Sequence, residues 1–127
     1  MRNIPILDKS RIRCIDGSFG FIPHRFLSDG FFSLLGHKEL ILYFFWVLVS
    51  DRFGMSFYGD KALTRHTGIS PEILAEIRNG LISKSLIAFK PPFVQVLQLP
   101  AGPVINNPAS TQHPVRRILK SLEGGVR

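Results

Sequence analysis

Four histidines, His24, His37, His66 and His113, and one cysteine, Cys14, are the side chains here best suited to metal or nucleophilic chemistry. None stands at the short spacing that zinc sites use between ligands. The chain has no G-x-x-x-x-G-K-S/T or G-x-G-x-x-G phosphate loop and no nucleophile motif. His24-Arg25 and His37-Lys38 fall at expected helix starts and form no triad or paired-carboxylate arrangement. The sequence therefore reads as non-catalytic, with no cofactor and no metal. What remains is electrostatic chemistry. Sixteen basic residues against nine acidic ones give a net charge of +7. A pI near 10.2 favours a polyanionic partner. The excess is +2 over residues 1–22, +2 over 23–98 and +3 over 99–127, so most of it sits on the two arms.

The 127 residues fit a single domain with one core, and eleven Phe make that core aromatic. A lone cysteine excludes an internal disulfide and gives no sign of an oxidising compartment. MRNIPILDKSR lacks the apolar run of a signal peptide. Leu40–Val49 is an unbroken apolar run of ten residues, about half of the ~20 that span a bilayer. The expectation is a soluble, cytoplasmic protein with no membrane partner.

The elements that must position the charges follow from pattern and punctuation. Asp16-Gly17 suits a two-residue hairpin turn between strands at about Arg11–Ile15 and Ser18–Ile22. Pro23 opens a short helical turn that stops at Gly30, and FFSLLG reads as an apolar connector. His37–Arg52 reads as a helix apolar on every side, more than one packed face requires. MSFY, after Gly54, reads as a short strand. A helix over Gly59–Thr67 is broken at Gly68, which can take the left-handed conformation that other residues resist. Ser70 then serves as N-cap and Pro71 as first helical residue. Ile73, Leu74, Ile77 and Leu81 share one face of that helix, which runs to about Ser85. LIAF and FVQVLQL flank Lys90-Pro91-Pro92 as a short two-stranded wing. Beyond Leu99 a proline-rich linker leads to VRRILKSL, with Val115, Ile118, Leu119 and Leu122 on one helical face.

Strand, helix, helix, turn, helix, two strands is the order of a winged helix. The expected fold is α+β, mainly α: an N-terminal β-hairpin unit over 1–35, a winged helix-turn-helix over 36–99, and a linker with a basic tail over 100–127. LTRHTGIS, a capped helix and then KSLI resemble the pattern L-A-x-x-T-G-I-S, helix, K-G-L-I of bacterial winged helix-turn-helix proteins. The likeness spans roughly Gly36 to Leu99. SFGFIPHRFL, the apolar helix, DRFGMSFYGD and FVQVLQLP are also similar to small bacterial helix-turn-helix proteins found beside mobile-element genes. That resemblance implies double-stranded DNA binding, as a transcriptional regulator or as a transposition or replication accessory factor associated with the nucleoid. His66 stands where the family usually has leucine, and Arg78 where it has a second apolar residue. His66 is expected to be a half-buried packing histidine. Arg78 is expected at the rim, within reach of a phosphate or of Glu39.

The residues expected to meet DNA are Lys61, Thr64 and Arg65 on the first helix, Ser70, Glu72, Glu76, Asn79 and Lys84 on and around the second, and Lys90 at the wing tip. Arg116, Arg117 and Lys120 in the tail extend the set. The outward face of the second helix carries Glu72, Ala75, Glu76, Asn79 and Ser83. Asn79 can pair with adenine and a glutamate can accept from cytosine N4. Both acids also sit where they stabilise the helix dipole, by ~0.3–1 kcal/mol each, which requires no DNA. The alternative partner is therefore a protein: a non-catalytic winged-helix interaction module whose glutamates face a basic surface and whose tail docks on a second protein. The surplus apolar surface of Leu40–Val49 predicts a homodimer. Between that helix and the N-terminal hairpin there is room for an effector pocket, but nothing in the sequence nominates a ligand or says that an effector exists.

Overall fold

The computed structural model describes residues 4–105. Over these the chain forms a small, mainly helical α+β fold with five α-helices and one three-stranded antiparallel sheet. The helices are α1 (Arg25–Ser28), α2 (Phe31–Leu34), α3 (His37–Val49), α4 (Asp60–Thr67) and α5 (Pro71–Ser83). The strands are β1 (Met55–Phe57), β2 (Ile87–Lys90) and β3 (Phe93–Val96), in spatial order β1-β3-β2.

The core is one cluster in which Leu42 and Trp46 of α3, Leu74 and Leu81 of α5, Leu63 of α4 and Ile87 of β2 are essentially inaccessible. Aromatic residues fill its α1–α3 end, where Phe26 stacks on Phe31 at 6.1 Å and on Tyr43 at 5.2 Å between ring centroids. Tyr43 lies in this apolar setting, and burial pushes its phenol up to about 12.

The expected N-terminal β-hairpin is not formed. Gly17 adopts the left-handed φ of +75° that the turn requires, yet residues 11–22 contain no strand. Ile12, Ile15 and Phe19 are 58, 70 and 62% exposed, so the two arms bury no common face. A two-stranded hairpin without such a face is marginal in water. The segment instead crosses α3 at Gly20, where a Cβ would run into the Val47 carbonyl. Ile22 joins the core from there. The apolar connector is likewise a short helix, α2, because Gly30 (φ +93°) starts a turn that drives Phe31 inward.

Helix α3 ends at Val49, before the expected Arg52. The Asp51 carboxylate accepts from the Phe53 and Met55 amides (2.8 and 3.0 Å), and this Asx turn redirects the chain. Gly54 continues the reversal at φ +84°, and its carbonyl accepts from the Val96 amide at 2.8 Å. The expected short strand is Met55–Phe57, and it forms the third strand of the sheet, paired with β3. The pairing sets Phe57 opposite Phe93 and Met55 opposite Gln95. On the other edge β2 pairs Lys90 with Phe93 and Ala88 with Gln95.

Candidate nucleic-acid interface

Helices α4 and α5 are joined by Gly68, Ile69 and Ser70. Gly68 takes φ +78°, the left-handed C-terminal position for which glycine is suited. Thr67 holds the corner: its hydroxyl donates to the Leu63 carbonyl at 2.7 Å and accepts from the Ile69 amide at 3.2 Å. Ile69 is 1% exposed and fills the angle between the helices. Ser70 has the extended backbone of an N-cap and Pro71 follows it, but the expected hydroxyl cap is absent. The Ile73 amide is satisfied instead by the Ser70 carbonyl at 3.2 Å.

This frame turns Leu74, Leu81 and Ile82 of α5 into the core and leaves Glu72, Ala75, Glu76 and Asn79 exposed on the opposite side. Ser83, expected on that outward face, is half-buried with its hydroxyl donating to the Gly80 carbonyl at 2.9 Å. On α4, Lys61 and Arg65 are exposed one turn apart. Among the described residues neither has an acidic partner within ion-pair distance. Ser70 and Lys90 are exposed as well. Arg116, Arg117 and Lys120 lie outside the described residues.

Three of the expected contacts are corrected. The Thr64 hydroxyl is buried without a hydrogen-bond partner among the described residues, so it faces inward and not toward a ligand. Lys84 is drawn back across the helix pair. Its ammonium donates to both Glu39 carboxylate oxygens at 2.9 Å, with only 17 and 14% of the two side chains exposed. Arg78 is 8% exposed, so it is neither at the rim nor paired with Glu39. It donates to Asp60 at 2.9 Å and lies 4.4 Å from the Phe89 ring centre, joining α5 to the start of α4 and to β2. The reason is geometric: Gly80 and Lys84 at the end of α5 lie against Glu39 near the start of α3, whereas Arg78, in the middle of α5, lies against Asp60 at the start of α4.

His66 is exposed rather than half-buried, and its packing is aromatic: it stacks on Phe45 at 5.4 Å and meets Tyr58 edge-on at 6.2 Å. The residues that sequence reasoning misses are those that fix the helix pair. Glu39 accepts from the Gly36 amide at 3.0 Å as well as from Lys84. Gly80 gives that carboxylate room, because a Cβ there would strike Glu39 Oε2. The reciprocal spacing of Gly36 and Glu39 is a readable signal, since a glutamate three residues into a helix reaches back to the cap amide. The partner choice of Lys84 leaves no local mark.

A groove of about 780 Å³ opens between residues 18–23, the C-terminal half of α3 and β3. It lies beside the unpaired segment that takes the place of the expected hairpin, and nothing in it identifies a ligand. Tyr43, Arg52 and Gln98 are among its walls. No helix among the described residues is long and apolar enough to cross a membrane. Comparison with known protein families, curated proteins and solved structures finds no match to this chain.

Proposed function

We propose that the chain is a winged helix-turn-helix protein that binds double-stranded DNA without catalysing a reaction. On this reading α4, the Gly68–Ser70 corner and α5 are the helix-turn-helix, and the β2–β3 hairpin is the wing. The outward face of α5 enters the major groove, where Asn79, Glu72 of the first turn and Glu76 of the second address base edges. Lys61 and Arg65 hold flanking phosphates, and Lys90 reaches the backbone from the wing tip. Affinity in such modules comes largely from phosphate contacts, so cations beside the reading face matter more than those on it.

The observation that carries this reading is the sorting of cations on the two helices. Arg78 and Lys84 are buried or half-buried and paired with Asp60 and Glu39, whereas Lys61 and Arg65 stand exposed without an acidic partner among the described residues. A merely solvated helix pair does not require that division. The basic tail residues Arg116, Arg117 and Lys120 add long-range attraction for the same polyanion. A homodimer formed through the outer side of α3 would present two such units to one duplex, as a regulator or mobile-element accessory factor.

One observation favours a different partner. Glu72 and Glu76 are exposed and have no basic partner among the described residues, which suits a basic protein surface. Charge-neutralising variants separate the readings. Under DNA binding, Lys61→Gln with Arg65→Gln weakens duplex affinity and lowers the log–log salt slope by ~0.9 for each phosphate left unneutralised. Glu72→Gln with Glu76→Gln leaves affinity for a random duplex equal or raised and changes only which sequences are preferred. A variant set in which only the glutamate changes matter would assign the face to a basic protein instead.

A further inference from the structure

The sheet has two unlike faces. Ser56 of β1, Val94 of β3 and Phe89 of β2 are in register with one another and turn inward, with Val94 3% exposed. The neighbouring rung, Phe57, Phe93 and Lys90, points the other way, because successive residues of a strand alternate sides. Phe57 is 63% exposed and Phe93 48%, and their rings meet edge-to-face at 5.7 Å between centroids. Lys90 is exposed at the end of this rung and has no ion pair among the described residues. Gln95 is exposed on the next rung of the same face, between Met55 and Ala88. Among the described residues, the strands place no acidic side chain on this face.

Nothing in the fold requires two phenylalanine rings on water beside a free ammonium. Two contiguous exposed rings bordered by a cation and an amide form a candidate binding surface. The chemistry available there is specific: ring faces on which bases stack, a cation for the phosphate that follows, and an amide able to donate to and accept from a base edge. A duplex hides its base faces, so this set suits unpaired nucleotides. We infer that the outer face of the β1-β3-β2 sheet is a stacking site for single-stranded DNA, centred on Phe57 and Phe93, with Lys90 on the backbone. The choice of DNA over RNA rests on the duplex-binding reading above, whereas the stacking does not. Such a site would hold a melted or nicked strand beside α5, with Lys90 given up by the duplex phosphate to the strand's backbone.

The test uses the full chain and fluorescence anisotropy with labelled oligothymidine, an abasic oligomer of the same length and charge, oligouridine and a random duplex. Oligothymidine should bind more tightly than the abasic oligomer, and Phe57→Ala or Phe93→Ala should weaken it roughly 5- to 150-fold, the range for loss of one stacked base. Phe93→Tyr should retain binding, and Phe93→Leu, which keeps apolar area without a π face, should not. Duplex binding, measured in parallel, should be unchanged in these variants, so failure of the duplex reading is distinguishable. Equal binding of oligothymidine and the abasic oligomer would overturn the site, as would full binding by Phe93→Leu. Tighter binding of oligouridine would move it to RNA and contradict the proposal. Loss of self-association in Phe57→Ala, with no oligonucleotide bound by the parent chain, would assign the rung to a second copy and equally overturn it.

Discussion

Gly80 shows how one missing side chain can govern a helix contact. Alanine is favoured over glycine in a helix interior by ~1 kcal/mol. At position 80, however, a methyl group meets Glu39 and pushes its carboxylate off Lys84. Gly80→Ala should therefore be neutral or destabilising in the parent chain and stabilising by ~1 kcal/mol in a Glu39→Ala background, read from urea unfolding of the four-member cycle. The same gain in both backgrounds would contradict the contact. Tyr43 gives a second residue-scale prediction. Its folded-state pKa, raised to about 12 by burial, lies above the ordinary value near 10. Below pH ~10 both states keep the phenol proton and stability is unaffected. As pH rises from ~10 to ~12 the unfolded chain ionises first, so folding stability falls by about 1.4 kcal/mol per pH unit. Tyr43→Phe keeps the ring stacked on Phe26 and lacks this loss. Its stability relative to the parent chain should improve by about 1 kcal/mol between pH ~9 and ~11. An unchanged difference would show that the phenol is solvated.

Among the elements, α4, the corner and α5 are legible in the sequence because each signal is local. Gly68 needs a positive φ, Ile69 is an apolar residue in a tight turn, Pro71 suits a first helical position, and Leu74 and Leu81 share one face. Strands β2 and β3 are legible for the same reason, since Lys90-Pro91-Pro92 marks the turn between them. The N-terminal hairpin is not, because Asp16-Gly17 specifies a turn and cannot supply a third strand or a buried face for its arms. The site is legible in part. Exposed Lys61, Arg65, Glu72, Glu76 and Asn79 follow from helical periodicity. The places of Lys84 and Arg78 do not, because ion pairing between residues 39 and 84, or 60 and 78, depends on how the helices cross, which no short window of sequence contains. An element-scale prediction separates these classes. Lys84→Gln, which strands Glu39 in a half-buried site, should cost ~1–3 kcal/mol of stability and leave the salt slope of duplex binding unchanged. Lys61→Gln should do the reverse. Exchange of those two effects would contradict the assignment of Lys84 as a structural cation.

For the molecule as a whole, most of the net charge lies at the chain ends and one apolar stripe lies on α3. Residues 4–105 carry eleven basic and eight acidic side chains, so more than half of the net +7 belongs to the chain ends. Helix α3 leaves Ile41, Phe44 and Leu48 at 46, 37 and 71% exposure along one stripe at spacings of three and four, with Phe32 of α2 against Phe44. That stripe is the surface expected to join two copies. Sedimentation equilibrium at micromolar concentration should give a dimer, and Leu48→Glu should return a monomer with unchanged helix content. A monomeric parent chain would contradict the α3 interface without touching the DNA reading. The function proposed for this chain turns on the surface of α4 and α5. It is tested most directly by fluorescence anisotropy of a labelled random duplex at two salt concentrations, comparing the full chain with full chains in which Lys61 and Arg65, or Arg116, Arg117 and Lys120, are changed to glutamine. Tight, salt-sensitive binding should survive the tail changes and fall, with a shallower salt slope, when Lys61 and Arg65 are neutralised. Binding unaffected by Lys61 and Arg65, or absent even at low salt, would contradict the proposed function.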